Sequence, residues 1–193
     1  MIGHLRGTIV AKLPPGLTLE VGGVGYELQA PMSTFYELPE LGAAVLLHTH
    51  LVVREDAHQL FGFISLRERE LFRGLIKVNG VGARLALSIL SGISVDGFAR
   101  CVMDGDVASL TRVPGIGKKT AERLLVEMRD RVAGADGSAR TGSAPVSAKD
   151  EAMAALVALG YKPAEAARML GKAGDGASSE ELIRQALQSV VKG

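Results

Sequence analysis

One near-repeat constrains the fold of this chain more than any other feature. Val78-Asn79-Gly80-Val81-Gly82-Ala83-Arg84-Leu85-Ala86 returns thirty-five residues later as Val113-Pro114-Gly115-Ile116-Gly117-Lys118-Lys119-Thr120-Ala121. In both copies a helical pattern runs into glycine–apolar–glycine, then into a second helical pattern that starts with basic residues. The glycines let the backbone turn tightly and let a ligand approach the main-chain N–H groups. The apolar residue between them can tuck into the helix pair and fix the loop. The next helix aims its unpaired N–H groups and partial positive charge at the same place. A phosphate is the natural occupant, and Arg84, Lys118 and Lys119 add full charges.

The repeat lies in the middle of three blocks of different composition. Residues 1–64 carry three basic and six acidic side chains, residues 65–133 twelve and eight, and residues 134–193 seven of each. All four His and five of the eight aromatics fall in the first block. The near-balance of 22 basic and 21 acidic residues excludes a polybasic nucleic-acid coat and an acidic disordered tail. A 47% hydrophobic content excludes a wholly disordered chain. A single cysteine, Cys101, excludes an internal disulfide and an all-cysteine metal site. No apolar run approaches the ~20 residues of a membrane span, and residues 1–7 show no signal-peptide core. A soluble, cytoplasmic protein with no membrane partner is expected.

The first block reads as β. Leu17–Val21, Gly22-Gly23 and Val24–Ala30 form a hairpin pattern, with the Gly pair supplying the tight turn. Val45–Val53 reads as a strand, Arg54-Glu55-Asp56-Ala57 as a turn, and a short strand ends at Phe61-Gly62-Phe63. Short strands with Gly punctuation suggest a small closed barrel of the OB-fold kind over 1–64. The second block, 65–133, reads as helices with Gly-rich joints. Residues 134–148 are small, polar and poor in large apolar groups, and are expected to form a flexible linker. Residues 149–193 read as three short helices: Gly160 stops the first, Pro163 opens the second, and Ser178-Ser179-Glu180-Glu181 caps the third. The expected fold class is α+β and multidomain.

The repeated turns resemble the helix-hairpin-helix motif of DNA-binding proteins. Neither copy offers a reader of base edges, so binding is expected to follow the phosphate backbone and ignore base sequence. Other phosphate motifs fail: Gly117-Lys118 is followed by Lys119 instead of Ser or Thr, and position 120 is not the third Gly of a dinucleotide fingerprint. Nucleotide hydrolysis by this chain alone is not expected, nor any cofactor.

The order of units and the local sequence resemble the RuvA family, the Holliday-junction-binding subunits of the RuvA–RuvB branch migration machine. The resemblance runs through Met1–Gly7, Glu20–Glu27, Phe35–Pro39, Val52–Ala57, Asn79–Gly82, Leu90–Gly92, Pro114–Arg123 and Ala155–Tyr161. Relatives commonly carry Pro-Lys after the first Gly-Val-Gly, where this chain has Ala83-Arg84. The resemblance implies a homotetramer that binds a four-way DNA junction in an open square. It implies DNA contacts from Asn79, Gly80, Val81, Gly82, Ala83 and Arg84, and from Pro114, Gly115, Ile116, Gly117, Lys118, Lys119, Thr120 and Arg123. It also implies an acidic pin at Glu55 and Asp56, docking of the third domain on the RuvB motor, and the RuvC resolvase in a larger complex. No catalytic residue is expected.

Other residues carry competing readings. His48 and His50 share a strand face but lack the Cys or carboxylate partners of a metal site, so no metal is expected. Cys101 reads as a small buried hydrophobe. Tyr26, Phe35, Tyr36, Phe61 and Phe63 read as core, not as a stacking platform. The stripe Leu156-Leu159-Met169-Leu170-Leu182-Ile183-Leu187 reads as the third unit's core. A DNA glycosylase or lyase could place a catalytic Lys at 119, but its carboxylate would have to be Asp136, inside the expected linker. A Mg²⁺-dependent nuclease would need three or four convergent carboxylates, and Glu55-Asp56 supply one adjacent pair.

Overall fold

The computed structural model describes residues 1–138, 147–171 and 178–191, without the side chains of 130–138 and 190–191. Packing divides the chain into two compact units, Met1–Ser138 and Ala139–Gly193.

The first unit opens with five strands: β1 (His4–Leu13), β2 (Gly16–Val21), β3 (Val24–Gln29), β4 (Ala44–Val53) and β5 (His58–Phe63), with helix α1 (Met32–Glu37) between β3 and β4. They close into a barrel in the order β1-β2-β3-β5-β4. The expected β2–β3 hairpin is present, and its turn needs positive φ at both central positions, 59° at Gly22 and 83° at Gly23. Closure is made by a parallel pairing of β3 with β5 at Gln29 and Phe61. Neither β1 nor α1 was foreseen; β1 bulges between Ile9 and Ala11, which breaks its alternation.

Leu5, Ile9, Leu17, Leu19, Leu28, Leu47 and Leu60 fill the barrel. Phe61 and Phe63 do not join them. Both pack against Phe72 of helix α2 (Leu66–Leu75), with ring centroids 4.9 Å apart in each pair. Those rings tie the barrel to the helical layer, which explains why residues 1–64 and 65–133 share one compact unit. Complete burial of Phe72 contributes about 1.5–3 kcal/mol by area. A polar seam lies beside it. Ser65 caps α2 by accepting from the Glu68 N–H, while the buried Glu68 carboxylate accepts from Ser33 Oγ and Thr34 Oγ1 of α1. Tyr36 departs from the expected core: it is 78% exposed, on the face of short α1 that turns away from buried Thr34 and Phe35.

Four more helices complete this unit: α3 (Ala83–Gly92), α4 (Val95–Asp104), α5 (Val107–Thr111) and α6 (Lys118–Ser138). Helix α6 runs five residues into the segment expected as linker. Ala133 and Ala135 are strong helix formers, and extending an established helix costs little beside nucleating one. Of the other expected linker residues, 139–146 lie outside the described residues, while Ser147 caps the next helix by accepting from the Asp150 N–H and Ala148 is its first residue. Asp136 is therefore on a helix, and the objection to it as a catalytic carboxylate changes. It lies seventeen residues beyond Lys119 on one helix, roughly 25 Å along the axis at 1.5 Å per residue, so the two cannot converge.

The second unit holds α7 (Ala148–Ala158), α8 (Pro163–Leu170) and α9 (Ser179–Val191). Gly160, at φ 100°, ends the first turn after α7, and Tyr161 N–H donates back to Leu156 O at 3.2 Å. Ser178 and Glu181 exchange both bonds of a capping box. The core is Ala152, Leu156, Ala166, Met169, Leu170, Leu182 and Ala186. Leu159 is not part of it; as the residue that caps α7 it is 62% exposed. No single helix among the described residues is long and apolar enough to cross a membrane.

Candidate nucleic-acid interface

The two glycine turns join α2 to α3 and α5 to α6, and their backbones match bond for bond. Gly80 has φ 87° and Gly115 has φ 91°, values that a side chain would strain. Val81 N–H donates to Val78 O at 3.0 Å, and Ile116 N–H to Val113 O at 3.1 Å. Ala86 N–H then donates to Gly82 O, and Ala121 N–H to Gly117 O, each at 3.0 Å. Those are the first bonds of α3 and α6. The N–H groups of residues 82–85 and 117–120 are thus left outside the helices' own bonding, as at any helix start.

The residues that hold each turn are apolar and inward. Val78, Val81 and Ala86 in the first copy, and Val113, Ile116 and Ala121 in the second, are all buried in one core. Between and around them, Asn79, Gly80, Gly82 and Arg84 are exposed, as are Pro114, Gly115, Gly117, Lys118, Lys119 and Arg123. Thr120 is half-buried. Each turn is therefore a rigid loop with polar atoms and cations outward.

The turns also touch one another's helices. Arg123 of α6 donates from Nη1 to Asn79 O of the first turn at 3.1 Å. Leu85 of α3 lies against Gly115 of the second, so close that a Cβ there would stand 3.2 Å from Leu85 Cδ1. This reciprocal contact makes one patch of the two turns, with two helix N-termini and the cations Arg84, Lys118, Lys119 and Arg123. It presents charge and N–H donors, a surface suited to phosphates.

Matches to family models divide the chain in the same order as its elements. The RuvA N terminal domain matches residues 1–62, the SAM-like helix-hairpin-helix tandem residues 72–130, and the RuvA C-terminal domain residues 147–190. A protein of Thioalkalivibrio sulfidiphilus named Holliday junction branch migration complex subunit RuvA is 58% identical over the full length of both chains. One of the same name from Nitrosococcus oceani is 58% identical, over 99% of this chain and all of that protein. The chain belongs to the RuvA family.

Within this RuvA-family chain, the expected site residues come together at the two turns, with one change of role. Ala83 is only 9% exposed and belongs to the core that also holds Phe61, Ala86 and Leu87. Its side chain is core, as are those of Val81 and Ile116. Glu55 and Asp56 are far from the turns in sequence and stand at the β4–β5 turn, both exposed. That turn is closed by Arg54 N–H donating to Ala57 O at 2.9 Å. Two exposed cations are missing from the expected DNA contacts: Lys77 and Arg112, each one residue before the aligned segment. Aligning the repeat one residue further would have found them.

The two strand histidines have other work. His50 Nδ1 accepts from Arg73 Nε at 3.3 Å, and its ring meets Phe72 edge-on at 5.7 Å. Burial, then Arg73 and Arg69, hold its pKa below the ordinary value, partly offset by Glu70. Burial, Arg69 and His4 do the same for His48. Cys101 is half-buried, and burial first, then Asp106 and Asp104, push its thiol up.

Proposed function

We propose that the chain binds four-way DNA junctions as a homotetramer, without regard to base sequence, and loads the RuvB motor for branch migration. The observation that carries this is the pair of matching glycine turns fused into one cationic patch by Arg123 and Leu85. Phosphate contacts of that kind fix position and register without reading sequence. The relatives' shared name, subunit of the Holliday junction branch migration complex, supplies the DNA shape and the assembly. The chain acts as a DNA-binding subunit with no catalytic site of its own. In this reading the DNA-binding set is the two turns from Asn79 to Arg84 and from Pro114 to Thr120, with Arg123. Residues 1–64 supply the tetramer and the acidic pin, residues 149–193 dock on RuvB, and RuvC joins the larger complex.

Glu55 and Asp56 act as a pin by repulsion. In a fourfold ring their carboxylates meet at the axis, where they oppose phosphates. A linear duplex must pass over them; an open junction need not. That raises the energy of the wrong ligand instead of lowering that of the right one.

Paired titrations of junction and linear duplex across a salt series test the reading. Eight turns per ring, each neutralising about one phosphate, give a log K against log[salt] slope of roughly −7. Glu55→Gln with Asp56→Asn should raise duplex affinity more than junction affinity. A slope near −2 would remove the turns as the DNA site, and an unchanged junction-to-duplex ratio would remove the pin.

A further inference from the structure

Short helix α1 ties the barrel to the helical layer by directed bonds. Phe35 of α1 and Leu38, which caps it, are buried in the barrel's core. Lys12 of β1 anchors that end, donating from Nζ to Leu38 O at 3.2 Å and to Pro39 O at 3.3 Å. On its other side α1 reaches both helices of the first glycine turn. Ser33 Oγ and Thr34 Oγ1 donate to the Glu68 carboxylate near the start of α2. Met32 N–H donates to Ser91 Oγ near the end of α3 at 2.9 Å. Thr34 Oγ1 also accepts from the N–H of Ile64, the residue after β5, at 3.2 Å.

These ties share a place in the fold. Helix α2 runs toward the turn and α3 away from it, so Glu68 and Ser91 lie at the ends remote from Gly80–Gly82. Helix α1 therefore clasps the open end of the helix pair whose closed end is the first turn. Glu68 is the one charged side chain buried among the described residues, and no salt bridge described there reaches it. A desolvated carboxylate adds little stability over a well-packed apolar residue; what it adds is direction. The apolar contact of Phe61 and Phe63 with Phe72 presses the layers together with little directional preference. From Gly82 to Ser91 is roughly 14 Å along the helix axis at 1.5 Å per residue, so a tilt at the clasp is carried to the turn.

We propose that Thr34, Glu68 and Ser91 are positioning residues for junction selectivity: through α1 they hold the first glycine turn in register with the acidic β4–β5 turn of the barrel. The proposal rests on the reading of the glycine turns as the DNA site and of Glu55 and Asp56 as the pin. The pin repels a duplex only where it stands under the strand that the turns hold. A first turn free to swing lets a duplex clear the carboxylates and brings the strands of a junction onto them.

The experiment titrates the full chain with a four-way junction and with linear duplex at one salt concentration, below the unfolding transition of every variant. Thr34→Val with Ser91→Ala removes the hydroxyl from each tie at nearly constant shape. Thr34→Ser with Ser91→Thr keeps both hydroxyls. The first pair is expected to lower the junction-to-duplex affinity ratio about fivefold or more, and the second to keep it within about twofold. In a chain that also carries Glu55→Gln and Asp56→Asn, the first pair is expected to shift the ratio by less than about twofold. A lower Tm with an unchanged ratio means that the ties only stabilise the fold, and overturns the proposal. Equal losses of both affinities overturn it too, as does an equal shift with and without the pin. Where the double variant does not fold, Ser91→Ala alone, at a half-buried position, decides by the same ratio, with about twofold as the dividing value. Two controls separate this proposal from the readings beneath it. If Lys118→Ala with Lys119→Ala changes neither affinity, the turns fail; if Glu55→Gln with Asp56→Asn leaves the ratio unchanged, the pin fails; the clasp falls with either. If both controls act and the clasp variants do not, the clasp alone fails.

Discussion

At the first turn Gly80 stands at φ 87° and Val81 is buried; at the second, Gly115 stands at φ 91° and Ile116 is buried. Yet α3 begins with Ala83-Arg84 and α6 with Lys118-Lys119. The matching parts are those that shape the backbone, and the differing parts are those that carry charge. Location explains the difference. Position 83 faces the core, whereas position 118 is exposed. The first turn has therefore one cation in its first helical turn and borrows Arg123 from α6, which bonds to Asn79 O. The second has two of its own.

If the buried residues shape the turns, removing them should cost most. Ile116→Ala should destabilise the fold by about 2–4 kcal/mol, and Val81→Ala by less, since fewer buried carbons are lost. Denaturant unfolding checks this. Equal, small losses would mean that the glycines alone hold the turns.

The cations come next. Lys118→Ala with Lys119→Ala should weaken junction and duplex alike and lower the salt slope by about 1 per protomer, the second turn's share, against less for Arg84→Ala, whose turn keeps Arg123. A larger effect from Arg84 than from the lysine pair would reverse the ranking of the two turns.

A smaller effect separates loss of fold from loss of grip. His48 and His50 are held below the ordinary pKa of 6.5, first by burial and then by the arginines Arg69 and Arg73. Above that value both are neutral whether the chain is folded or not. As pH falls through it, the unfolded chain takes up protons that the folded chain resists, so stability falls. The Arg73 bond to His50 Nδ1 is lost on protonation as well. Tm should drop between pH 7.5 and 5.5, and His50→Gln should flatten the drop. No histidine lies in either turn, so junction affinity of the folded protein should change little over the same range. Parallel losses of Tm and affinity would tie the turns to the barrel seam.

Legibility in the sequence followed the range of the forces involved. The turns were readable because a local pattern of glycines and apolar residues dictates them, and the repeat supplied its own control. The β2–β3 hairpin was readable from Gly22-Gly23, and the caps of α8 and α9 from Pro163 and Ser178. Strand β1 was hidden because its bulge and its pairing with both β2 and β4 are long-range features. Phe61 and Phe63 were placed in a core, but which core depended on Phe72 arriving from another element. The burial of Ala83 and the exposure of Tyr36 were hidden for the same reason. The reach of α6 to Ser138 was missed because small residues were read as linker, when they also extend a helix that packing has already started.

The smallest expected effect tests the first turn where it departs from the second. Ala83 is the first residue of α3, where proline's fixed φ suits the helix and its missing N–H removes no intrahelical bond. Gly82 precedes it at φ −84° and ψ 170°, the extended conformation that a following proline requires. Ala83→Pro should therefore stabilise the protein by about 0.4–1 kcal/mol, through a more restricted unfolded chain. Its effect on DNA depends on what the first turn uses. If Arg84 carries the grip, losing the N–H of residue 83 leaves junction affinity within about twofold. If main-chain donors carry it, one lost hydrogen bond costs about 0.5–1.5 kcal/mol, up to roughly a tenfold loss at each of four positions in the ring. Junction titration beside thermal unfolding distinguishes the two. A stabilised protein with unchanged affinity would show that the turns differ in kind: the first grips by a side-chain charge on a rigid frame, the second by charges at both of its first helical positions.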